Sequence, residues 1–262
     1  MWIYKHAPHT ELQIDAQTIQ QILHAGGFAI RNTYNFDCTS RQPTNQPTNQ
    51  PTNFWYVIKD KFGDMEELPT KTRNQVRRAL KNFDYQIIDK EYMLQNGYDV
   101  YKRASESYAI TAVPPTQDAF QKRIMNSTEN DEFWGAISKE SGKLVAIAIN
   151  HISENTCDYR ALKAYPEEMK KYVYYGLIFT MNKYYLQEKS FKYVCDGARS
   201  ATNHSNIQPF LMEKFNFRKA YCNMHIYYKW WFGLIVKILY PFRKLIPINS
   251  AKALLAMHGM QG

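Results

Sequence analysis

Cysteine is scarce in this chain and never paired. The four residues Cys38, Cys157, Cys195 and Cys222 form no CxxC motif, and no histidine cluster accompanies them. That excludes a metal site of the usual spacing and argues against a disulfide framework. Three of the four sit in strand-like runs, where a buried thiol is expected. The beginning, "MWIYKHAPHTELQID", has no apolar stretch of the secretory kind, so the expected compartment is the cytoplasm. Carboxylates are also in the minority. With 33 Lys and Arg against 24 Asp and Glu, the formal net charge is +9, which favours anionic partners without choosing among them.

What is abundant is aromatic and apolar. Hydrophobic residues make up 45% of the 262 positions, and 20 are tyrosine. This is the composition of a chain that buries a full core.

Residues 11 to 25 carry an apolar stripe of Leu12, Ile19, Ile22 and Leu23, ended by Gly26-Gly27, and predict a helix. "FAIRNTYNF" and "NFWYVIKD" read as two strands of a hairpin. Between them lies "QPTNQPTNQPTN", residues 42 to 53, a surface loop by composition. In "LPTKTRNQVRRALKNF", Thr70 or Thr72 is placed to cap a helix running to about Asn82. Its buried side is Val76, Leu80 and Phe83. Arg73, Arg77 and Lys81 share another face, with Arg78 beside them. A basic helix face is often merely solvated, yet this one suits phosphate of a tRNA, lipid or nucleotide sugar.

The second half alternates more regularly. "EFWGAIS" and "KLVAIAINHI" are strands joined by a Ser141-Gly142 turn, and "TCDYRALKAY" is a third. A helix from Pro166 to Lys189, a strand "FKYVCDG", a helix "NIQPFLMEKF" and a long strand "RKAYCNMHIYYKWW" follow. Strand alternation sends Asp158 and Arg160 to one face and Tyr159 to the other. Asp158 suits either a general base or a cross-strand ion pair. After the strand ending at Asp196-Gly197 comes a polar loop with Arg199, Asn203, His204 and Asn206. Such a position favours a ligand in open α/β sheets, while the same residue types serve as turn and helix cap. Arg199 fits an anion clamp and His204 a proton acceptor near neutral pH. The tail "WWFGLIVKILYPFRKLIPI" is apolar but interrupted by Lys237, Pro241, Arg243 and Lys244, short of a spanning helix. It suits a membrane surface, through residues 230–248, or a helix covering the sheet.

The hairpin 133–151, the helix 167–189 and the phrase "YVCDGARSATNHSNIQPFLMEKFNFRKAY" together resemble the GNAT acyltransferase fold, more narrowly its FemAB-like branch. The resemblance implies an α/β fold with a GNAT-like mixed central sheet flanked by helices. Residues 1–115 would form an N-terminal α/β region, a degenerate companion half; 116–229 the GNAT-like domain; 230–262 an apolar and basic tail. It also implies transfer of an acyl or aminoacyl group to an amine of a sugar or cell-envelope precursor. The donor would be acyl-CoA, or aminoacyl-tRNA, at the inner face of a membrane. The donor lies in the V of two splayed parallel strands, its pyrophosphate on the following helix N-terminus. On that basis Asp158 and His204 are the catalytic candidates. Asp196, Gly197, Arg199, Asn203, Asn206, Lys163 and Tyr165 are the ligand-binding ones. Arg73, Arg77, Arg78 and Lys81 would hold an anionic donor or acceptor.

The chain departs from the family pattern at "KAYPEEMKKYVYYG", which has no glycine before Gly176 and places Glu167 and Glu168 where a phosphate would sit. Met212 stands where many of these enzymes carry a tyrosine acid, and Asn216 replaces a glycine. A relative that has lost catalysis and binds a partner is therefore a second reading. A basic membrane-surface or nucleic-acid binding protein is a third.

Overall fold

A computed structural model describes residues 15–36, 52–107, 116–200 and 206–261. In chain order the elements are α1 (Ala16–His24), β1 (Ala29–Tyr34), β2 (Phe54–Lys59), α2 (Thr70–Asn82), β3 (Phe83–Ile88), α3 (Lys90–Glu106) and α4 (Gln117–Met125). Then come β4 (Asp131–Ser138), β5 (Leu144–Ser153), β6 (Thr156–Ala164), α5 (Val173–Asn182), β7 (Tyr193–Ala198), α6 (Ile207–Phe215), β8 (Arg218–Tyr228), α7 (Trp230–Leu239) and α8 (Asn249–His258). They group into two compact units, each discontinuous in sequence, with limits other than 115 and 229. One comprises Met1–Val57, Ala198–Asn206 and Lys219–Gly262; the other Ile58–Gly197 and Ile207–Arg218.

In the first unit the strand order is β1-β8-β2, with β1 antiparallel to β8. The expected hairpin of β1 and β2 is therefore corrected: β8, nearly two hundred residues later in the chain, lies between them. Local turn signals cannot reveal a strand inserted from so far away. The Thr52 hydroxyl donates to the Cys222 carbonyl at 2.6 Å, tying the start of β2 to β8. Asp15 caps α1 by accepting from the Thr18 amide, and Gly26, with φ +104°, ends it. The helix α8 is fastened to β8 by Gln261, whose side-chain oxygen accepts the Ile226 amide at 2.8 Å.

The second unit holds a mixed sheet in the order β7-β6-β5-β4-β3, antiparallel except for the parallel pair β6 and β7. Alternation sets its two faces. Ile88, Phe133, Ile147 and Ile149 point toward α3 and α4 and pack with Met93, Val100, Phe120 and Ile124. The opposite face carries Trp134 and Asn150, which meet Tyr185 beyond α5. The Ser141-Gly142 turn forms as expected, with Gly142 at φ +67°. The helix α2 starts after Pro69 without a side-chain cap, so neither Thr70 nor Thr72 has that role; Thr72 is instead buried with Val76 and Ala79.

The helix expected over 167–189 is three pieces. Pro166–Lys171 is a 3-10 turn, Tyr172 breaks it in the left-handed conformation (φ 65°, ψ 34°), and α5 begins only at Val173. After Asn182 the helix widens to a π segment, Lys183–Glu188. Its stripe of tyrosines hides these breaks from a periodicity reading.

Candidate functional site

The two parallel strands β6 and β7 share three residue pairs: Thr156 with Tyr193, Cys157 with Val194, and Asp158 with Cys195. Past Asp158 they have no common register, although β6 runs on to Ala164 and β7 to Ala198. The strands thus part, leaving an edge of β6 whose main-chain groups β7 does not bond. Just beyond the parting, β6 has a β-bulge. Asn150 pairs with Tyr159 and Ile149 with Ala161, so Arg160 is one residue too many.

Asp196 stands at this opening, directly after the last paired residue of β7. Its half-buried carboxyl is pushed up to about 7 by loss of solvation; a hydrogen bond with the Gln208 side chain, in the first turn of α6, pulls it partly back. Gly197 follows with φ +97°, and a Cβ there would meet open space. Glycine is needed for the backbone turn and not for clearance.

The floor is aromatic. Tyr159 lies fully inside, donates to the Asn182 side-chain oxygen at 2.9 Å and meets the rings of Tyr185 and Phe217. Burial drives its phenol well above the usual range, and the neighbouring thiol of Cys157 and carboxylate of Asp196 add to that. Tyr185 in turn bonds Glu132, Trp134 and Asn150. Cys157 and Cys195 are buried and free, as expected of core thiols, and desolvation holds both far above the reactive range.

At the start of α5, Arg78 lies 4.9 Å over the Tyr172 ring, and the ring of Tyr175 packs between Tyr172 and Phe210. The acids Glu167 and Glu168, expected to abut this terminus, do not. They belong to the preceding 3-10 turn, where Glu167 pairs with Arg103 and Glu168 with Lys171. The first turn of α5 has no acidic residue.

The other sequence-derived candidates scatter. Asp158 shares the face of its partner in register, His151, whose ring nitrogen bonds Asp131 at 2.8 Å. Asp196, one residue past Cys195, points to the opposite face, so the two carboxylates do not converge. Arg160 makes its ion pair with Asp131, at 3.1 Å. The bulge carries Lys163 and Tyr165 to the α3 face as well. Lys163 sits 5.1 Å over the Tyr101 ring, while Tyr165 bonds Asp99 and stacks under Arg103. Tyr165 therefore does not fill the opening. On α2, Arg73 turns back to the Leu68 carbonyl, Arg77 and Lys81 are exposed, and only Arg78 reaches α5. In the other unit, Arg199 stacks on Trp55 at 4.3 Å and donates to the Asn53 carbonyl at 2.5 Å. Asn206 is exposed and precedes α6. Asn203 and His204 lie outside the described residues.

Sequence reasoning missed Gln208, Tyr159 and Asn182. Gln208 was within reach, since the first helical turn after a strand-end carboxyl is where a partner for it must lie.

The parted parallel pair, the bulge just beyond the parting and the helix after each of its strands define a GNAT-like fold. Among solved structures the chain is similar to FemX, with a TM-score of 0.56 at 11% identity, over 88% of this chain and 72% of that one. It is also similar to the C-terminal domain (DUF2156) of a putative lysylphosphatidylglycerol synthetase from Agrobacterium fabrum. That match has a TM-score of 0.52 at 10% identity, over 85% and 76% of the two chains. No family model and no curated protein matches the sequence. The fold is thus GNAT-like, as the sequence resemblance implied.

Proposed function

We propose that this protein transfers an acyl or aminoacyl group to an amine, with Asp196 as general base. The observation that carries the reading is a carboxyl, pushed up to about 7 by lost solvation, at the mouth of the parted strands, where β7 no longer bonds the main chain of β6. The incoming amine attacks the donor carbonyl, a C–N bond forms, and the C–S or C–O bond to the carrier breaks. Asp196 takes the proton the amine sheds, and the carrier leaves with its electron pair. N–H groups along β6 past Asp158, which β7 does not bond, suit the carbonyl oxygen as charge builds on it.

Two donors fit, acyl-CoA and aminoacyl-tRNA, and the α2 cations Arg77, Arg78 and Lys81 suit the phosphates of either. The acceptor we favour is an amine on a sugar or cell-envelope precursor, the acceptor class that the resemblance of the sequence to the FemAB-like branch implies. Placement in the cytoplasm goes with those donors.

A thermal-shift series with acyl-CoA species, run beside filter binding of aminoacyl-tRNA, tests the reading. Stabilisation or retention by one class is expected. Silence from both classes would sink the transferase.

One observation favours the second reading, a scaffold that binds without catalysing. Gly176, the first glycine near α5, serves packing: a Cβ on it would overlap the Tyr85 ring. Tyr85 donates to the Val173 carbonyl from that seat. The glycine thus gives backbone room to a tyrosine and not to a phosphate.

A further inference from the structure

The end of the first unit carries an apolar surface of unusual density. Of the thirteen large hydrophobic side chains that stand exposed among the described residues, eight fall between positions 230 and 248. Trp230, Leu234 and Ile238 form one row along α7, with Ile235 and Leu239 in the next. At ~100° per residue these five span about half the helix circumference. The other half holds Gly233 and Val236, which are buried, and Phe232, which packs on Phe28 and Tyr228. Phe242, Leu245 and Ile248 continue the exposed strip beyond α7. Trp230, at 81% exposure, is the most exposed of the eight.

Charge around the strip has one sign. From Lys219 to Gly262 the sequence contains no Asp or Glu, while Lys219, Lys229, Lys237, Arg243, Lys244 and Lys252 are all cationic. Lys237, Arg243 and Lys244 are exposed and flank the apolar rows. Arg243, stacked on Tyr240 at 4.4 Å, also lines an open pocket of 420 Å³ together with Arg199.

We propose that α7 and the segment to Ile248 dock this protein, in plane, on the surface of an anionic bilayer. No helix among the described residues is long and apolar enough to cross a membrane. At ten residues α7 is only ~15 Å long, half the ~30 Å hydrocarbon thickness. An in-plane helix needs an apolar face with cations at its rim, and that is the pattern here. A second copy of this surface fits poorly, because self-association sets like charges against each other with no carboxylate in the segment to pair them. A bilayer supplies both the apolar layer and the plane of negative charge. The proposal does not depend on the transfer reaction.

The test is co-sedimentation of the full chain with phosphatidylcholine vesicles and with vesicles also containing phosphatidylglycerol, at low and high salt. Binding at least about 10-fold tighter to the anionic vesicles, and weakened by salt, is expected. Trp230→Ser combined with Leu234→Ser and Ile238→Ser should lower it by about 10-fold or more, at unchanged circular dichroism. Energy transfer from tryptophan to a labelled lipid checks the unaltered chain, should the triple variant fail to fold. The proposal is overturned if the wild type ignores anionic vesicles or the folded triple variant binds as well as the wild type. A dimer in solution that the triple variant abolishes would overturn it too, assigning the surface to a second copy.

Discussion

Asp158 faces Cys195 as the last pair in register between β6 and β7, and the next residue of β7 is Asp196. The strands part at that pair, and loss of solvation raises the Asp196 carboxyl to about 7.

Replacing Asp196 tests both chemistry and stability. For Asp196→Asn, transfer should fall by about 100-fold or more while donor binding persists. In the wild type, activity should rise with pH through about 7 as the base ionises. The stability sign is opposite. A carboxyl with a raised pKa favours folding when protonated, so its contribution is full below about 4 and is lost as pH climbs through about 7. Asn carries no charge to desolvate. The variant should therefore be more stable than the wild type at pH 8, by at most ~4 kcal/mol in chemical denaturation, and match it near pH 4.

Tyr159→Phe should cost about 1–3 kcal/mol in urea unfolding, because it strands the Asn182 oxygen inside the unit. Adding Asn182→Leu should recover part of that loss. If the single variant is neutral, the buried bond has been misjudged.

Gly176→Ala forces a methyl into the Tyr85 ring and should destabilise by about 1–3 kcal/mol. Since the clash is with one side chain, Tyr85→Ala should make the second substitution nearly free. A double-mutant cycle with no coupling would contradict that account.

Lys59 is 3% exposed and held 2.8 Å from Glu67. Burial alone draws its pKa down and the carboxylate partner restores part of it. Glu67→Gln leaves that ammonium alone and should cost about 3–5 kcal/mol. Lys59→Met with Glu67→Gln should cost much less, as read by the midpoint of chemical denaturation.

Local signals carried the legible part of this molecule. The β4–β5 hairpin showed in its alternation and its Ser-Gly turn, and the β7-turn-α6 passage in Asp196-Gly197. Both depend on residues within a few positions of each other. What stayed hidden depends on distance or on backbone. β8 enters between β1 and β2 from far along the chain, and no local residue announces it. Tyr172 takes a left-handed conformation that glycine or asparagine would have advertised. Among site candidates Asp196 was visible, whereas Lys163, Tyr165 and Asp158 were grouped with it because nothing in the sequence tells their sheet face from its own.

The extra residue at Arg160 acts as a phase shift in a signal of period two. Before it, odd-numbered β6 residues such as Tyr159 look to α5; after it, odd-numbered Ala161, Lys163 and Tyr165 look to α3. Any reading that counts this one position as a step of the alternation assigns every later side chain of the strand to the wrong side. Deleting Arg160 would therefore restore plain alternation and leave the far half facing α3, whereas a regular strand that kept Arg160 would have that half turned over.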